Sequence, residues 1–160
     1  MDMQGSRTLG ITQQQAWDAL NDPETLKLCV PGCDRMEPVE GEAGPAYDVG
    51  LKVKVGPVSA RFTGRITLSD VHPPERYTLG FEGQGGVAGF GKGSSQVVLV
   101  PAAQGCELRY TVNAQVGGKV AQLGQRLIDG AARSMADDFF KRFDEEMQRR
   151  HGPAAAPDAA

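Results

Sequence analysis

The feature that most constrains the fold of this chain is a long stretch, residues 34–117, in which apolar and polar residues alternate. In AYDVGLKVKV, every second residue from Tyr47 to Val55 is apolar, whereas Asp48 and Lys52 fall between them. A period of two is typical of strands that bury one face only. Because glycine or proline interrupts the pattern at intervals of roughly ten to fifteen residues, the stretch predicts six consecutive strands joined as a β-meander.

The segment before the meander predicts a seventh strand and two short helices. Residues 1–11 predict the strand, and TQQQAWDALNDP then predicts a helix. Thr12, with Gln15 three residues later, has the residue types of a capping box, in which each side chain bonds the backbone of the other residue. Pro23 suits the first position of a second helix, where its missing N–H costs nothing.

A long amphipathic segment follows the meander. Beyond Gly117 and Gly118, apolar residues recur every three or four positions, which predicts one helix over residues 119–150. Acids placed four residues ahead of bases on its other side are typical of an exposed helix surface. The predicted fold class is therefore α+β: a seven-stranded, antiparallel, curved sheet wrapped around a long C-terminal helix, with two short helices after the first strand.

Length and composition indicate one domain and argue against several functional classes. The 160 residues suffice for a single core, which we place at residues 1–150, and the Pro/Ala-rich residues 151–160 are expected to be disordered. The formal charge of −3 provides no broad cationic surface, so we expect no nucleic-acid binding.

Three cysteines without an apolar signal segment predict a cytoplasmic protein with reduced thiols. No apolar run approaches the ~20 residues that cross a bilayer, which leaves only peripheral membrane contact.

Two of the cysteines flank a turn, in the segment CVPGCDRM. A structural zinc site needs a second ligand pair, but the only cysteine besides Cys29 and Cys33 is Cys106, which is distant in sequence. A redox pair of the thioredoxin kind has two residues between its cysteines at the start of a helix, whereas this pair is separated by three residues and follows a helix. We therefore expect a Pro-Gly turn flanked by metal-free thiols.

The glycine-rich segment GQGGVAGFGKGSS, residues 83–95, is superficially similar to a phosphate-binding loop. Such a loop must open a helix, but the β-rich QVVLV follows here, so we interpret the segment as a flexible connection between strands that could serve as a lid.

No catalytic motif accompanies these features. There is no G-x-S-x-G motif, and no histidine lies close in sequence to a serine or cysteine nucleophile. An active site assembled from distant residues stays open, with Tyr47, Tyr77, Tyr110 and Arg133 as its candidate polar groups.

The first half of the long helix is rich in small residues. Gly124 and Gly130 would each cost about 1 kcal/mol relative to alanine within a helix, yet they occur beside Ala121, Ala131 and Ala132. Two explanations stay open: the helix packs closely on the sheet, or the small residues roof a cavity.

The order of elements resembles the helix-grip fold of the START and Bet v 1-like superfamily. Three segments are more narrowly similar to the G-subunit family of carbon monoxide dehydrogenase: NDPETLKLCVPGCDRME, GFGKGSSQVVLVP and GGKVAQLGQRLIDGAARSMADDFFKRF. The resemblance covers residues 2–147. The family's turn corresponds to Pro31 and Gly32, and its helix motif corresponds to Leu123, Gly124, Leu127, Ala131, Phe139 and Phe140.

This resemblance implies an accessory protein without a catalytic centre or covalent cofactor. Its implied partner is a molybdenum-containing hydroxylase such as carbon monoxide dehydrogenase, at the inner face of the cytoplasmic membrane. Its implied ligand is a quinone or another lipophilic small molecule in an internal cavity. Phe140 lies off the main apolar stripe, which makes it a candidate for a partner or homodimer surface, although packing at the sheet edge is the alternative.

The same resemblance predicts where the cavity lies. Its predicted lining residues are Val30, Phe62, Ile66, Tyr77, Leu79, Phe81, Phe90, Tyr110, Leu127, Ala131 and Met135. No catalytic residue and no metal ligand is expected. Two alternative functions stay open: an enzyme of the same fold, of the polyketide cyclase or hydrolase type, which would need acids or bases inside the cavity, and a structural adaptor that holds no ligand.

Overall fold

The computed structural model describes residues 1–41 and 44–152 and has the predicted helix-grip architecture. Its elements are β1 (Asp2–Leu9), α1 (Gln13–Leu20), α2 (Pro23–Cys29), β2 (Cys33–Gly41), β3 (Gly44–Val55), β4 (Val58–His72), β5 (Arg76–Gln84), β6 (Phe90–Ala102), β7 (Gly105–Gly117) and α3 (Gln125–His151). The seven strands form one antiparallel sheet in the order β1-β7-β6-β5-β4-β3-β2. The predicted disordered tail, residues 151–160, lies outside the described residues from position 153 onward.

Both predicted helix starts near the N-terminus are confirmed. The Thr12 hydroxyl oxygen accepts a hydrogen bond from the backbone N–H of Gln15 at 3.1 Å, and the Gln15 side chain accepts one from the N–H of Thr12 at 3.0 Å. Pro23 is the first residue of α2, and the Asp22 carboxylate caps that helix by accepting from the N–H of Glu24. These contacts satisfy N–H groups that would otherwise lack partners at each helix start.

The long helix begins later than the sequence predicts. Residues Val120–Leu123 form a separate 3₁₀ turn, and α3 starts only at Gln125. Gly124, between them, has a φ of 95°, which residues with a side chain rarely adopt. The prediction of one continuous helix was therefore wrong at this point, because this glycine interrupts the helical pattern.

Two glycines allow the sheet to curl tightly. A Cβ atom on Gly64 of β4 would overlap the carbonyl oxygen of Glu82 on β5, and one on Gly93 of β6 would overlap the carbonyl oxygen of Asn113 on β7. A strand glycine of this kind marks a sharp bend or a close approach of neighbouring backbones. The curled sheet has a concave face, which carries the predicted inward residues such as Tyr47, and a convex face exposed to water.

The core consists of two separate apolar clusters on the concave side. The larger cluster lies where α1, α2 and the second half of α3 meet the sheet, and it includes Trp17, Tyr77 and the fully buried Phe143. The smaller cluster consists of the buried Val55, Ala88 and Val120, with Phe62, Ile128 and Ala131 among the partly buried residues packed against them. α3 therefore bridges the two clusters, with its first turns at the smaller and its last turns at the larger.

Phe140 is part of the larger cluster and is only 7 % exposed. Its ring centroid lies 5.7 Å from that of Tyr110 and 5.2 Å from that of Phe139, and the Arg7 guanidinium lies 4.9 Å from its centre. The hypothesis that this side chain forms a partner or dimer surface is therefore wrong, since it packs between α3 and the β1–β7 edge of the sheet.

Gly130 should be replaceable by alanine with a gain in stability. It is exposed within α3, and an added Cβ would meet no atom within 4 Å, so close packing does not explain this glycine. We expect Gly130→Ala to raise the free energy of unfolding by about 0.5–1 kcal/mol, measured by urea denaturation. Gly124→Ala is the matched control and should lower that free energy, because position 124 has a positive φ. A loss of stability in Gly130→Ala would contradict the open environment described.

Candidate functional site: an apolar groove between the sheet and the long helix

Half-buried apolar residues lie between the two apolar clusters, and we interpret the space that they border as a groove. Met135 lies between the parts of α3 that pack against each cluster, and it is half-buried without belonging to either. On the facing concave side of the sheet, Phe81 and Val112 are likewise half-buried and belong to neither cluster. Apolar side chains that remain partly accessible on the inner face of a curled sheet indicate a space that the protein itself does not fill.

The floor of the groove is a row of glycines. Gly64, Gly83 and Gly91 are direct neighbours on β4, β5 and β6, and they are in phase with inward residues of the same strands. The row continues to Val49, in the larger cluster, and to Val116, against the smaller cluster. Three adjacent positions without side chains leave bare backbone in the middle of the concave face. We call these three residues the glycine strip.

Two members of the glycine strip have free space above them. The nearest atoms to an added Cβ would be the Thr63 carbonyl oxygen at 3.8 Å for Gly83 and the Gln115 carbonyl oxygen at 3.9 Å for Gly91. These are ordinary van der Waals distances, so a Cβ atom at either position would fit without moving the backbone. Packing within the sheet therefore does not require glycine at these two positions.

Most of the predicted lining residues lie around this groove. Those on the concave face or the facing side of α3 are Phe62, Ile66, Leu79, Phe81, Tyr110, Ala131 and Met135, all half-buried. Leu127 lies at the groove's end beside the β3–β4 turn and is 45 % exposed, while Val30 is half-buried where α2 ends.

Two predicted lining residues lie elsewhere. Tyr77 is only 5 % exposed within the larger cluster, and its ring contacts that of Trp17 edge-on, with centroids 5.4 Å apart. Phe90 is on the convex face, where its ring covers Gly117 and is 47 % exposed. Alternation could not place Phe90 because the prediction treated residues 83–95 as a connection, whereas β6 already begins at Phe90.

Arg7 is a polar residue of the groove's edge that the sequence analysis missed. It is an inward residue of β1, its guanidinium forms an ion pair with Asp137 of α3, and it stacks on Phe140. The Tyr110 hydroxyl lies beside Gly5, the neighbouring inward residue of β1. The phase shared by Gly5 and Arg7 with the buried Leu9 was the available sequence signal. The β1–α3 seam therefore offers hydrogen-bond donors beside a largely apolar space.

Two of the three tyrosines proposed as candidate polar groups of an active site, Tyr47 and Tyr77, have structural roles. Burial raises the pKa of Tyr77, and burial together with the negative charge of Asp22 raises the pKa of Tyr47. The Tyr47 hydroxyl also donates a hydrogen bond to the carbonyl oxygen of Asn21 at 3.3 Å. Both phenols stay protonated at neutral pH, and neither is poised for proton transfer.

The CVPGCDRM turn packs against the sheet. Gly32 has a φ of 73°, its carbonyl oxygen accepts from the N–H of Lys52 at 2.9 Å, and a Cβ there would overlap the Lys52 carbonyl oxygen. Burial, followed by the negative charge of Glu146, raises the pKa of the Cys29 thiol to about 11, and burial also raises that of Cys33. Thiols of this kind are weak nucleophiles at neutral pH. Within residues 1–41 and 44–152, no three His, Cys, Asp or Glu side chains are grouped as metal ligands.

Three depressions lie on the opposite, convex face of the sheet, with volumes of about 640, 520 and 430 Å³. The largest is lined mainly by polar residues such as Gln96, and the two smaller ones share the polar residues Arg65, Glu82 and Lys92. These side chains form a row in register with Asp48, and the Arg65 Nε lies 3.0 Å from an Asp48 carboxylate oxygen. Such a solvated, charge-balanced surface does not suit a lipophilic ligand, so the groove is the better candidate despite these openings.

Known proteins share sequence and fold with this chain. The family model for the G subunit of carbon monoxide dehydrogenase (CoxG) matches residues 5–148. No curated protein matched the sequence. A conserved protein from Geobacillus kaustophilus is structurally similar, with 35 % identity, a TM-score of 0.86 and coverage of 94 % of this chain and 97 % of its own.

More distant structures share the fold alone. A protein from Thermus thermophilus is 14 % identical, with a TM-score of 0.71 and coverage of 94 % of this chain and 99 % of its own. Ara h 8.0201 is 15 % identical, with a TM-score of 0.66 and coverage of 93 % and 98 %. In the described residues, no helix combines the length and apolarity needed to span a membrane.

Proposed function

The chain belongs to the G-subunit (CoxG) family of carbon monoxide dehydrogenase, and from its groove we propose that it is an accessory protein that holds a lipophilic ligand such as a quinone. The enzyme it serves is, in this proposal, a molybdenum-containing hydroxylase of the carbon monoxide dehydrogenase type, which it brings to the cytoplasmic membrane. The protein itself does no chemistry.

The glycine strip is the observation that carries this proposal. A chain under no pressure to keep the interior open would fill Gly83 and Gly91 with side chains, since both positions have room and strands favour branched residues over glycine. The half-buried apolar side chains of Phe81, Val112 and Met135 instead suit contact with an apolar ligand.

The energetics suit an isoprenoid ligand. Each methylene-sized group that leaves water contributes about 0.8 kcal/mol, so a short isoprenoid chain binds without dedicated polar contacts. The Tyr110 hydroxyl and the Arg7 guanidinium at the β1–α3 seam are the groups available to donate hydrogen bonds to a quinone carbonyl. The ligand's ring is then held at this seam and its chain along the glycine strip.

The two alternative functions receive less support. A cyclase or hydrolase needs convergent acid or base groups, whereas the inward residues around the groove include no acid or base outside the seam, where Arg7 is paired with Asp137. The hydroxyl of Ser95, between Leu79 and Val112, is the polar group that β6 adds to this face. A purely structural adaptor gains nothing from an unfilled interior, which costs dispersion energy. The glycine strip therefore favours a binding protein over both.

The proposal is tested by identifying what the protein binds. Protein purified from cells that respire with quinones is extracted with organic solvent, and the extract is analysed by mass spectrometry. We expect a quinone at near-stoichiometric amounts. Calorimetric titration of emptied protein with a short-chain quinone should give micromolar affinity and a negative heat-capacity change, the signature of apolar burial. An empty extract together with no heat of binding would refute the carrier role.

The partner is tested separately from the ligand. Purified carbon monoxide dehydrogenase is mixed with the protein, and complex formation is followed by size-exclusion chromatography. Complex formation without any quinone binding would support the adaptor. Quinone binding without complex formation would support the carrier role and contradict the proposed partner.

A further inference from the structure

One end of the molecule exposes apolar side chains at the tips of its connections. Val87, in the short 3₁₀ turn between β5 and β6, is 93 % exposed. Leu127, in the first turn of α3, is 45 % exposed, and Phe90 beside them on the convex side is 47 % exposed. An almost fully exposed valine on a protruding turn buries nothing within the protein, so its apolar character has no role in folding.

Three connections converge at this end. The β3–β4 turn touches α3, because an added Cβ on Gly56 would lie 3.4 Å from the Leu127 side chain. The β5–β6 connection is closed by a hydrogen bond from the Gly85 N–H to the Gly89 carbonyl oxygen at 2.8 Å, and Gly89 packs against Gly118 after β7. We call this end, residues 54–58, 85–90 and 117–129, the loop tip.

The loop tip is basic although the chain is acidic. Its three segments contain Lys54, Lys119 and Arg126 but only one acid, Asp129, whereas the whole chain has a formal charge of −3. The three basic side chains belong to exposed residues, and none is in a salt bridge among the described residues. An apolar projection surrounded by uncompensated positive charge is complementary to a surface with an apolar interior and anionic headgroups.

We propose that the loop tip docks onto a bilayer containing anionic phospholipids, with Val87 inserted among the acyl chains and Lys54, Lys119 and Arg126 at the phosphates. The inference rests on the proposed function, since a carrier of a lipophilic ligand must meet the membrane that dissolves it. Docking in this orientation places the start of α3, which borders the groove, next to the bilayer.

Vesicle sedimentation tests the docking surface with matched variants. The protein is mixed with vesicles of phosphatidylcholine and phosphatidylglycerol in equal parts, and with vesicles of phosphatidylcholine alone. We expect binding to the anionic vesicles that weakens with salt. Val87→Asp should weaken it about tenfold, and replacing Lys54, Lys119 and Arg126 together by glutamine should weaken it on the order of 100-fold, at roughly fivefold for each charge.

The controls make the same changes elsewhere. Leu28→Asp alters a side chain that is 58 % exposed on α2, and replacing Lys27, Arg109 and Lys141 together by glutamine gives the same net charge change away from the loop tip. Both controls should bind vesicles like the unmodified protein. Equal effects of tip and control variants, or no binding to anionic vesicles at all, would overturn the proposal. If the protein does not bind anionic vesicles, a protein remains as the partner of the loop tip.

Quinone titration without vesicles separates this inference from the proposed function. Val87→Asp should leave quinone affinity unchanged, because Val87 is fully on the outside. Vesicle binding without quinone binding would keep the docking surface and refute the carrier. Quinone binding without vesicle binding would support the carrier and refute the docking surface.

Discussion

Gly83→Val combined with Gly91→Val should lower the affinity for a short-chain quinone by about 100-fold or more while the protein remains folded. The two valines point into the groove from neighbouring strands and occupy the volume above the glycine strip. A ligand that displaced them would have to distort the sheet, and overpacking of this kind costs about 1–3 kcal/mol for each side chain. Calorimetric titration measures the affinity, and circular dichroism with urea denaturation confirms the fold.

Gly80→Val is the matched control for this experiment. It lies on the same strand, and an added Cβ has its nearest neighbour, the Thr67 carbonyl oxygen, at 3.8 Å, as at Gly83. The two positions are an odd number of steps apart along the strand, so Gly80 faces the convex side instead. We expect Gly80→Val to leave quinone binding unchanged. Equal loss in both variants would mean that the mutation acts through the strand rather than the groove, and unchanged binding in the double variant would place the ligand elsewhere.

The sheet and the helix starts could be predicted from the sequence because their determinants are local. Alternation from Tyr47 to Val55 specifies which face is buried without knowledge of any other strand. The capping box of Thr12 and Gln15 likewise depends on residues within one turn. Where a pattern is strong and involves only residues close in sequence, the sequence is sufficient to predict the structural element.

The start of α3 shows where such local reasoning fails. Apolar spacing continues smoothly from Val120 through Leu123 to Leu127, so periodicity alone predicts one helix. Gly124 has a positive φ between the 3₁₀ turn and α3, and the spacing of apolar residues carries no information about this backbone conformation. The same glycine was therefore interpreted as a costly helix residue when it is the break before the helix.

The groove was the least predictable part because it depends on neighbours across strands. Gly64, Gly83 and Gly91 are far apart in sequence, and only the register of β4, β5 and β6 aligns them. Treating residues 83–95 as a connection hid both the strip and the outward orientation of Phe90. A search for glycines in phase with inward residues, such as Gly64 between Phe62 and Ile66, would have detected part of the floor.

Gly64→Ala should destabilise the protein by about 3 kcal/mol or more, the largest effect that we expect from adding a single methyl group to the chain. Its Cβ would overlap the Glu82 carbonyl oxygen, which is part of the β5 backbone and cannot rotate away. The sheet would have to straighten at the bend that makes it concave. Urea denaturation measures the change, and failure to fold would be its extreme form.

Gly83→Ala is the matched change on the neighbouring strand, and it should have the opposite sign. Its Cβ meets nothing closer than 3.8 Å, and alanine restricts the unfolded chain more than glycine does, so we expect a gain of roughly 0.5–1 kcal/mol. The presence of glycine at these two adjacent positions of the strip therefore has two different physical explanations. Gly64 is needed for the curvature of the sheet, whereas Gly83 is dispensable for folding and is explained only by what the groove holds. Similar stabilities for the two variants would refute this distinction, and with it the argument that the strip preserves space for a ligand.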